Sequence, residues 1–265
     1  METSADPAVA ADLLRRAHEQ GSTLSELPAD VRPVSRADGY RVQAAGANGE
    51  VLGWKIAATS ADGQRHIGVD GPLAGRLLAE HLVADGDPVS LARNTFRLAE
   101  LEFAFVAGQD FPPRGEPYSL AEVLDGTEKL QLSLEFPSTR FDSAPVVGEA
   151  QLIADNACAH QQCLADTPNQ AWREADLATL AVTAAARHSD GSPDTVHPGV
   201  GGNALGDPRT ALVWLVNELS EHGIGLAAGQ FVTTGTCVDP LPVRPGDTVT
   251  GDWGEFGTFT VRITD

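Results

Sequence analysis

Ala99-Glu100-Leu101-Glu102-Phe103-Ala104-Phe105-Val106 has the make-up of a β-strand, yet it carries two carboxylates. Residues two apart on a strand point the same way. Glu100 and Glu102 therefore share a face with Ala104 and Val106. Carboxylates among apolar neighbours are costly unless something neutralises them. A hard divalent cation would do so, and would tie the chain to metal-assisted chemistry. In Leu130-Gln131-Leu132-Ser133-Leu134-Glu135-Phe136 the leucines take one face and Gln131, Ser133 and Glu135 the other. If the two strands are neighbours, Glu135 joins the first pair. Three carboxylates plus water make an oxygen-only site that suits Mg²⁺ or Mn²⁺, whereas zinc prefers His or Cys. On pattern alone, a solvated strand face is the competing reading of Glu100 and Glu102.

One further residue type stands out. Of the 18 basic residues only Lys55 and Lys129 are lysines; the rest are arginine. Arginine stays charged at any working pH, whereas a desolvated lysine can shuttle a proton. For Lys129 no role is expected. For Lys55, in Val51-Leu52-Gly53-Trp54-Lys55-Ile56, a snorkelling surface side chain is the plain alternative.

The chain has 265 residues, of which 42% are hydrophobic, enough to build a core. Acidic residues number 37, and the net charge is −19. That excludes nucleic acid and anionic membranes as expected partners, because both reward basic patches. Cys158, Cys163 and Cys237 form no CxxC pair and are expected as free buried thiols in a reducing compartment. Met1-Glu2-Thr3-Ser4-Ala5-Asp6 shows no basic and apolar export signal, and no stretch approaches a membrane span. A cytoplasmic location is the resulting expectation.

These groups need elements to hold them. Residues 8–20 read as a helix ended by Gly21. A second helix starts at Ser35, with Asp38 as its capping partner, and runs to about Gly46. Residues 51–56 read as a buried strand. Strand signals follow at 99–107, 129–136, 230–235, 247–253 and 257–263, with a helix near 150–164. Another helix at 208–222 has Asp207 as N-cap, Pro208 at N1 and Gly223 after its end. Few regular helices between strands predict an α+β fold with a mixed, rolled sheet. A change of texture near residue 86 predicts an N-terminal helical and strand segment, 1–85, packing on a catalytic β-roll domain, 86–265.

Several pieces occur in order: Gly53-Trp54-Lys55-Ile56-Ala57-Ala58-Thr59-Ser60, Gly68-Val69-Asp70, Glu100-Leu101-Glu102, Glu135 with Arg140, Ala154-Asp155-Asn156-Ala157, Leu205-Gly206-Asp207-Pro208, and Thr234-Gly235-Thr236. This series resembles the 2-keto-4-pentenoate hydratase group of the fumarylacetoacetate hydrolase superfamily, from about residue 10 to the carboxyl end. The resemblance implies that superfamily's mixed β-sheet roll with flanking helices. It implies that Glu100, Glu102 and Glu135 hold one Mg²⁺ or Mn²⁺ and that Lys55 faces a small 2-oxo or 2-hydroxy-dienoic acid. The implied reaction is hydration to a 4-hydroxy-2-oxo acid. Decarboxylation of a 2-oxo acid, C–C bond hydrolysis, or a non-catalytic subunit partnering a decarboxylase are the alternatives. A homo-oligomer is expected by the same analogy. Lys55, between a cation and an apolar wall, is expected to have a lowered pKa.

Supporting roles follow from the same resemblance. Thr236 would bind the substrate carboxylate, or close a strand-end turn. Arg140 would pair with a carboxylate of the substrate or, preferably, of the protein. Asp155 and Asn156 would orient other site groups or cap a helix. Two departures from the group's pattern matter: Leu73 stands where a second acid is common, and Cys158 where serine is common. Asp70 or His160 would then have to serve the water-addition step. Gly199-Val200-Gly201-Gly202-Asn203-Ala204-Leu205-Gly206 reads as a flexible loop over the site, and His188 and His197 show no ligand spacing.

Overall fold

The computed structural model describes residues 6–167 and 169–265. Met1–Ala5, which carry most of the expectation about export, lie outside them. Among the described residues, no helix is long and apolar enough to cross a membrane.

The chain opens with helices α1 (Pro7–Gln20) and α2 (Arg36–Gly46). Asp6 caps α1 by accepting the Ala8 N–H, and Gly21 ends it at φ 61°, a left-handed conformation that glycine adopts freely. Ser35 caps α2 by accepting the Asp38 N–H. Then come β1 (Val51–Ala57), α3 (Ala61–Ile67), β2 (Leu73–Leu78), β3 (Val89–Ser90), β4 (Leu98–Ala107), α4 (Leu120–Asp125) and β5 (Thr127–Phe136). Short helices α5 (Ala144–Val147) and α6 (Glu149–Ala154) lead through a 3₁₀ turn, Asn156–Cys158, into β6 (Gln161–Asp166). Strands β7 (Ala181–Arg187) and β8 (Thr195–Val200) precede α7 (Pro208–Glu221). The chain finishes with β9 (Phe231–Thr233), β10 (Leu241–Pro242), β11 (Thr248–Asp252) and β12 (Thr258–Thr264). Leu212, Leu215, Val216 and Leu219 form the buried stripe of α7. Each such side chain contributes about 1.5–3 kcal/mol on burial.

The larger sheet has the order β2-β1-β9-β4-β5-β6, with β10 paired to the start of β4. Only β1 and β9 run parallel; the other pairs along that order are antiparallel. Leu82, just beyond edge strand β2, bridges to Gln162 of the opposite edge strand β6, and the Val83 N–H donates to Gln162 O at 2.9 Å. The two edges thus meet and the sheet curls into a roll. The smaller sheet has the order β3-β12-β11-β7-β8. His188 pins it: Nδ1 lies 3.1 Å from Asp247 Oδ2 and Nε2 lies 2.9 Å from Thr195 Oγ1. This is the α+β rolled fold expected from the sequence.

Differences lie in the middle of the chain. The helix expected over 150–164 ends at Ala154, and its second half is strand β6. Gln161–Asp166 pair along β5 at every position from Phe136 to Gln131, and those ladder bonds outweigh local helix propensity. The glycine-rich stretch is no free loop: it contains the end of edge strand β8, and Asn203 Nδ2 donates to Cys237 O. The expected division near residue 85 falls between strands β2 and β3, and β1 and β2 belong to the same sheet as β4, β5 and β9.

Where the roll closes, His18, His81 and His160 gather beside Arg140. The rings of His18 and His160 meet edge-on at 5.5 Å. Burial, then the neighbouring cations, push His81 and His160 from the usual 6.5 down to about 4. The unfolded chain therefore binds more protons than the folded one between those values, so this cluster costs stability as pH falls from about 6.5 to 4. Replacing His81 and His160 with Gln is expected to flatten that acid limb in a melting-temperature series from pH 7 to 4. An unchanged slope would refute the assignment.

Candidate metal centre

Register alone assembles the carboxylates. On the β4–β5 ladder Glu100 lies opposite Glu135, and Glu102 opposite Ser133. Cross-strand partners share a face. Glu100, Glu102 and Glu135 each offer an oxygen within 4.8 Å of the others. Glu102 and Glu135 are 0% and 1% exposed. Glu100 is half-buried and forms the open side of the cluster.

The same ladder logic carries in the lysine. Lys55 lies opposite Thr233, Thr233 opposite Ala104, and Ala104 is two residues from Glu102. Lys55 is thus on the carboxylate face, although 45 residues or more separate it from the glutamates. It is 2% exposed. Its Nζ lies 3.0 Å from Glu135 Oε1, an ion pair without hydrogen-bond alignment, and donates to Ala157 O at 3.0 Å.

Next to this layer the face turns apolar. Leu77, Val106 and Phe231 are buried in a small cluster separate from the main core, with Leu52, Leu82 and Leu164 packed against it. Val106 and Phe231 are two residues along from Ala104 and Thr233, so they form an apolar floor beside the charged layer.

Burial and like charge make the acids hard to ionise. Glu100 is pushed up from 4.5 to about 7 by desolvation and by Glu135, against the pull of Lys55. Glu102 is pushed well above the usual range, by desolvation, Glu135 and Glu100. For Lys55, burial acts downward, but Glu135, Glu100 and Glu102 outweigh it and the net shift is upward. That is opposite to the sequence expectation: the protein's own carboxylates dominate, and lowering requires the added charge of a cation.

Both oxygens of Glu102 and both of Glu135 are buried without a well-aligned hydrogen-bond donor. Orphaned carboxylate oxygens converging on one point fit a hard divalent cation. Gln162, opposite Glu135, donates to Ser133 Oγ at the side of the cluster. No sequence signal marked Gln162, because its segment reads as helix.

The other expected site residues lie elsewhere or are engaged. Asp155 is buried and accepts from Thr139 Oγ1 at 2.6 Å and from Arg140 N at 3.0 Å; it also pairs with the Arg140 guanidinium. Arg140 is thus committed to an internal ion pair. Thr236 closes a turn, donating to Val238 O at 2.7 Å. Asp70 is exposed and lines a separate cavity of about 300 Å³ with Arg36, Trp214, Glu218 and His222. His160 belongs to the histidine group at the roll's seam. Cys158, Cys163 and Cys237 are free and buried, as expected.

No protein-family model matches the chain. It is similar to a 2-keto-4-pentenoate hydratase of Burkholderia vietnamiensis (strain G4 / LMG 22486), with 30% identity over 259 residues, 95% of each chain. The chain belongs to the 2-keto-4-pentenoate hydratase group of the fumarylacetoacetate hydrolase superfamily. It is also similar to a 4-oxalocrotonate decarboxylase of Pseudomonas sp. (strain CF600), 28% identical over 201 residues, 76% of this chain and 73% of that one. Among solved structures, the 4-oxalocrotonate decarboxylase from Pseudomonas putida G7, complexed with magnesium and adipate, shares the fold. Its TM-score is 0.84 at 24% identity, covering 97% of both chains.

The raised acids make metal binding compete with protons. Mn²⁺ is expected to raise the melting temperature more at pH 8 than at pH 5, where Glu100 and Glu102 hold protons. Glu102→Gln or Glu135→Gln is expected to abolish the shift. An equal Mn²⁺ shift in either variant would remove these residues from the metal site.

Proposed function

We propose that this protein is a divalent-metal-dependent hydratase that converts a 2-hydroxy-2,4-dienoate or 2-oxo-alkenoate to a 4-hydroxy-2-oxo acid. The observation that carries this reading is the lone buried lysine of the site, 3.0 Å from a carboxylate of a three-glutamate cluster. Glu100, Glu102 and Glu135 would hold the cation. A Mg²⁺ or Mn²⁺ bound there supplies a Lewis acid for the carboxylate and 2-oxygen of an α-keto acid.

The chain's own groups account for the rest. Half-buried Glu100 marks the side from which substrate reaches the cluster. Lys55 holds a proton that it can pass to the diene carbon while the 2-hydroxyl proton is lost, leaving an α,β-unsaturated ketone. Water then adds to the carbon β to that ketone. The ammonium also offsets negative charge on the enolate oxygen. The apolar floor of Leu77, Val106 and Phe231 keeps bulk water from the inner side of Lys55. Thr233, whose hydroxyl lies beside Glu102, is a further polar group on this face. Asp155, Arg140 and Thr236 act in this reading as structural supports, since their polar atoms are engaged within the protein.

Decarboxylation is the second reading, favoured by the similarity to the Pseudomonas decarboxylase. The two part on products. With Mg²⁺ and 2-hydroxypenta-2,4-dienoate, the hydratase reading expects loss of dienol absorbance and a product heavier by one water. EDTA is expected to abolish this activity. Lys55→Ala is expected to lower turnover by about 10²- to 10⁴-fold while Mn²⁺ still binds. Carbon dioxide release from a 2-oxo diacid, without hydration of the substrate, would transfer the assignment to decarboxylation. Cleavage into two acids would indicate C–C hydrolysis. Full activity after metal removal would end the reading altogether.

A further inference from the structure

Asn156, Ala157 and Cys158 have φ values of 56°, 50° and 63°. Three consecutive left-handed residues, none of them glycine, are disfavoured because each Cβ crowds its own backbone. Such strain persists only where the surroundings over-determine it. Here the middle residue supplies the carbonyl that accepts from Lys55 Nζ at 3.0 Å.

The surroundings that enforce the turn can be named. The Asn156 side chain mimics a strand partner for β2: Oδ1 accepts the Arg76 N–H at 2.7 Å and Nδ2 donates to Arg76 O at 2.8 Å. The Asn156 carbonyl lies against Gly75, where an added Cβ would come within 2.3 Å of it. Gly75 is in turn the β1–β2 ladder partner of Lys55. On the other side, Cys158 O accepts the Ser138 N–H at 2.9 Å. The strained turn is thereby clamped between β2 and the segment after β5, with its central carbonyl aimed at the ammonium.

We infer that Asn156 is a positioning residue for Lys55: its side-chain clamp on Arg76 holds the left-handed turn so that Ala157 O and Glu135 together fix the direction of the ammonium. The inference rests on the reading of Lys55 as the proton carrier. Displacement of a reacting group by about 1 Å costs on the order of 10²-fold in rate.

The test uses Asn156→Gly, which deletes the clamp yet tolerates left-handed backbone, and Gly75→Ala, which pushes on the same turn from β2. Both are expected to lower kcat on 2-hydroxypenta-2,4-dienoate by about 10- to 100-fold, with KM and Mn²⁺ affinity little changed. A second readout does not need turnover. The chain has two lysines, so trinitrobenzenesulfonate labelling followed by peptide mass mapping compares Lys55 with the half-exposed Lys129 in one sample. Lys55 is expected to be protected in wild type and to label faster in Asn156→Gly, with Lys129 unchanged. If wild type lacks turnover, the functional reading fails while the labelling still decides the positioning role. Unchanged kcat with unchanged Lys55 labelling would overturn the inference. So would loss of kcat accompanied by loss of Mn²⁺ binding, since that describes a merely structural residue.

Discussion

Three carboxylates on one face of a two-strand ladder repel one another and lose their water. Every other feature of the site answers that constraint. Glu100 and Glu135 are direct cross-strand partners, an arrangement that is unfavourable for like charges without compensation. Lys55 compensates one of them from a strand that is not their neighbour in the sheet. Four buried carboxylate oxygens remain without well-aligned donors. A stable fold pays for such a cluster only if a cation or substrate makes use of it, which is why the cost points to function rather than to packing.

The roll provides what that cluster needs. Two sheet edges close through Leu82 and Gln162, so the charged face turns inward rather than toward solvent. The opposite face of β4 carries Leu101, Phe103 and Phe105 into the main core, which anchors the strand that presents the acids on its other face. One strand thus serves both demands through simple alternation. The apolar floor on the charged face lowers the local dielectric and strengthens each interaction of Lys55 with its acids. The supporting acid Asp155 and its partner Arg140 stand outside this charged layer, as a neutralised pair beneath the turn that carries Ala157 O.

The candidate metal ligands were legible before the fold because their signal is local. Period-two alternation assigns Glu100, Glu102 and Glu135 to polar stripes, and the type of each residue already selects a hard cation. Helices α1, α2 and α7 were legible for the same reason, through Gly21 as the stop of α1 and Ser35 and Asp207 as caps of α2 and α7. Strand β6 was not, because Gln161–Asp166 owes its conformation to β5 and to nothing in its own composition. Asp70, Thr236 and Arg140 show the limit of motif reasoning. Each lies in a matching stretch, yet one is exposed beside another cavity, one closes a turn and one is spent on Asp155.

By itself, then, the sequence determined the residue types of the site, the α+β character of the fold and the stripes on which the acids lie, since these depend on neighbours along the chain. Tertiary structure alone decided that β9 separates β1 from β4, which sets Lys55 within 3.0 Å of Glu135. It also decided that three left-handed residues would aim a carbonyl at that lysine. Such contacts join segments about a hundred residues apart and more, as Lys55 with Ala157 and Lys55 with Thr233 show, and they arise from strand order and closure, for which local propensity carries no code.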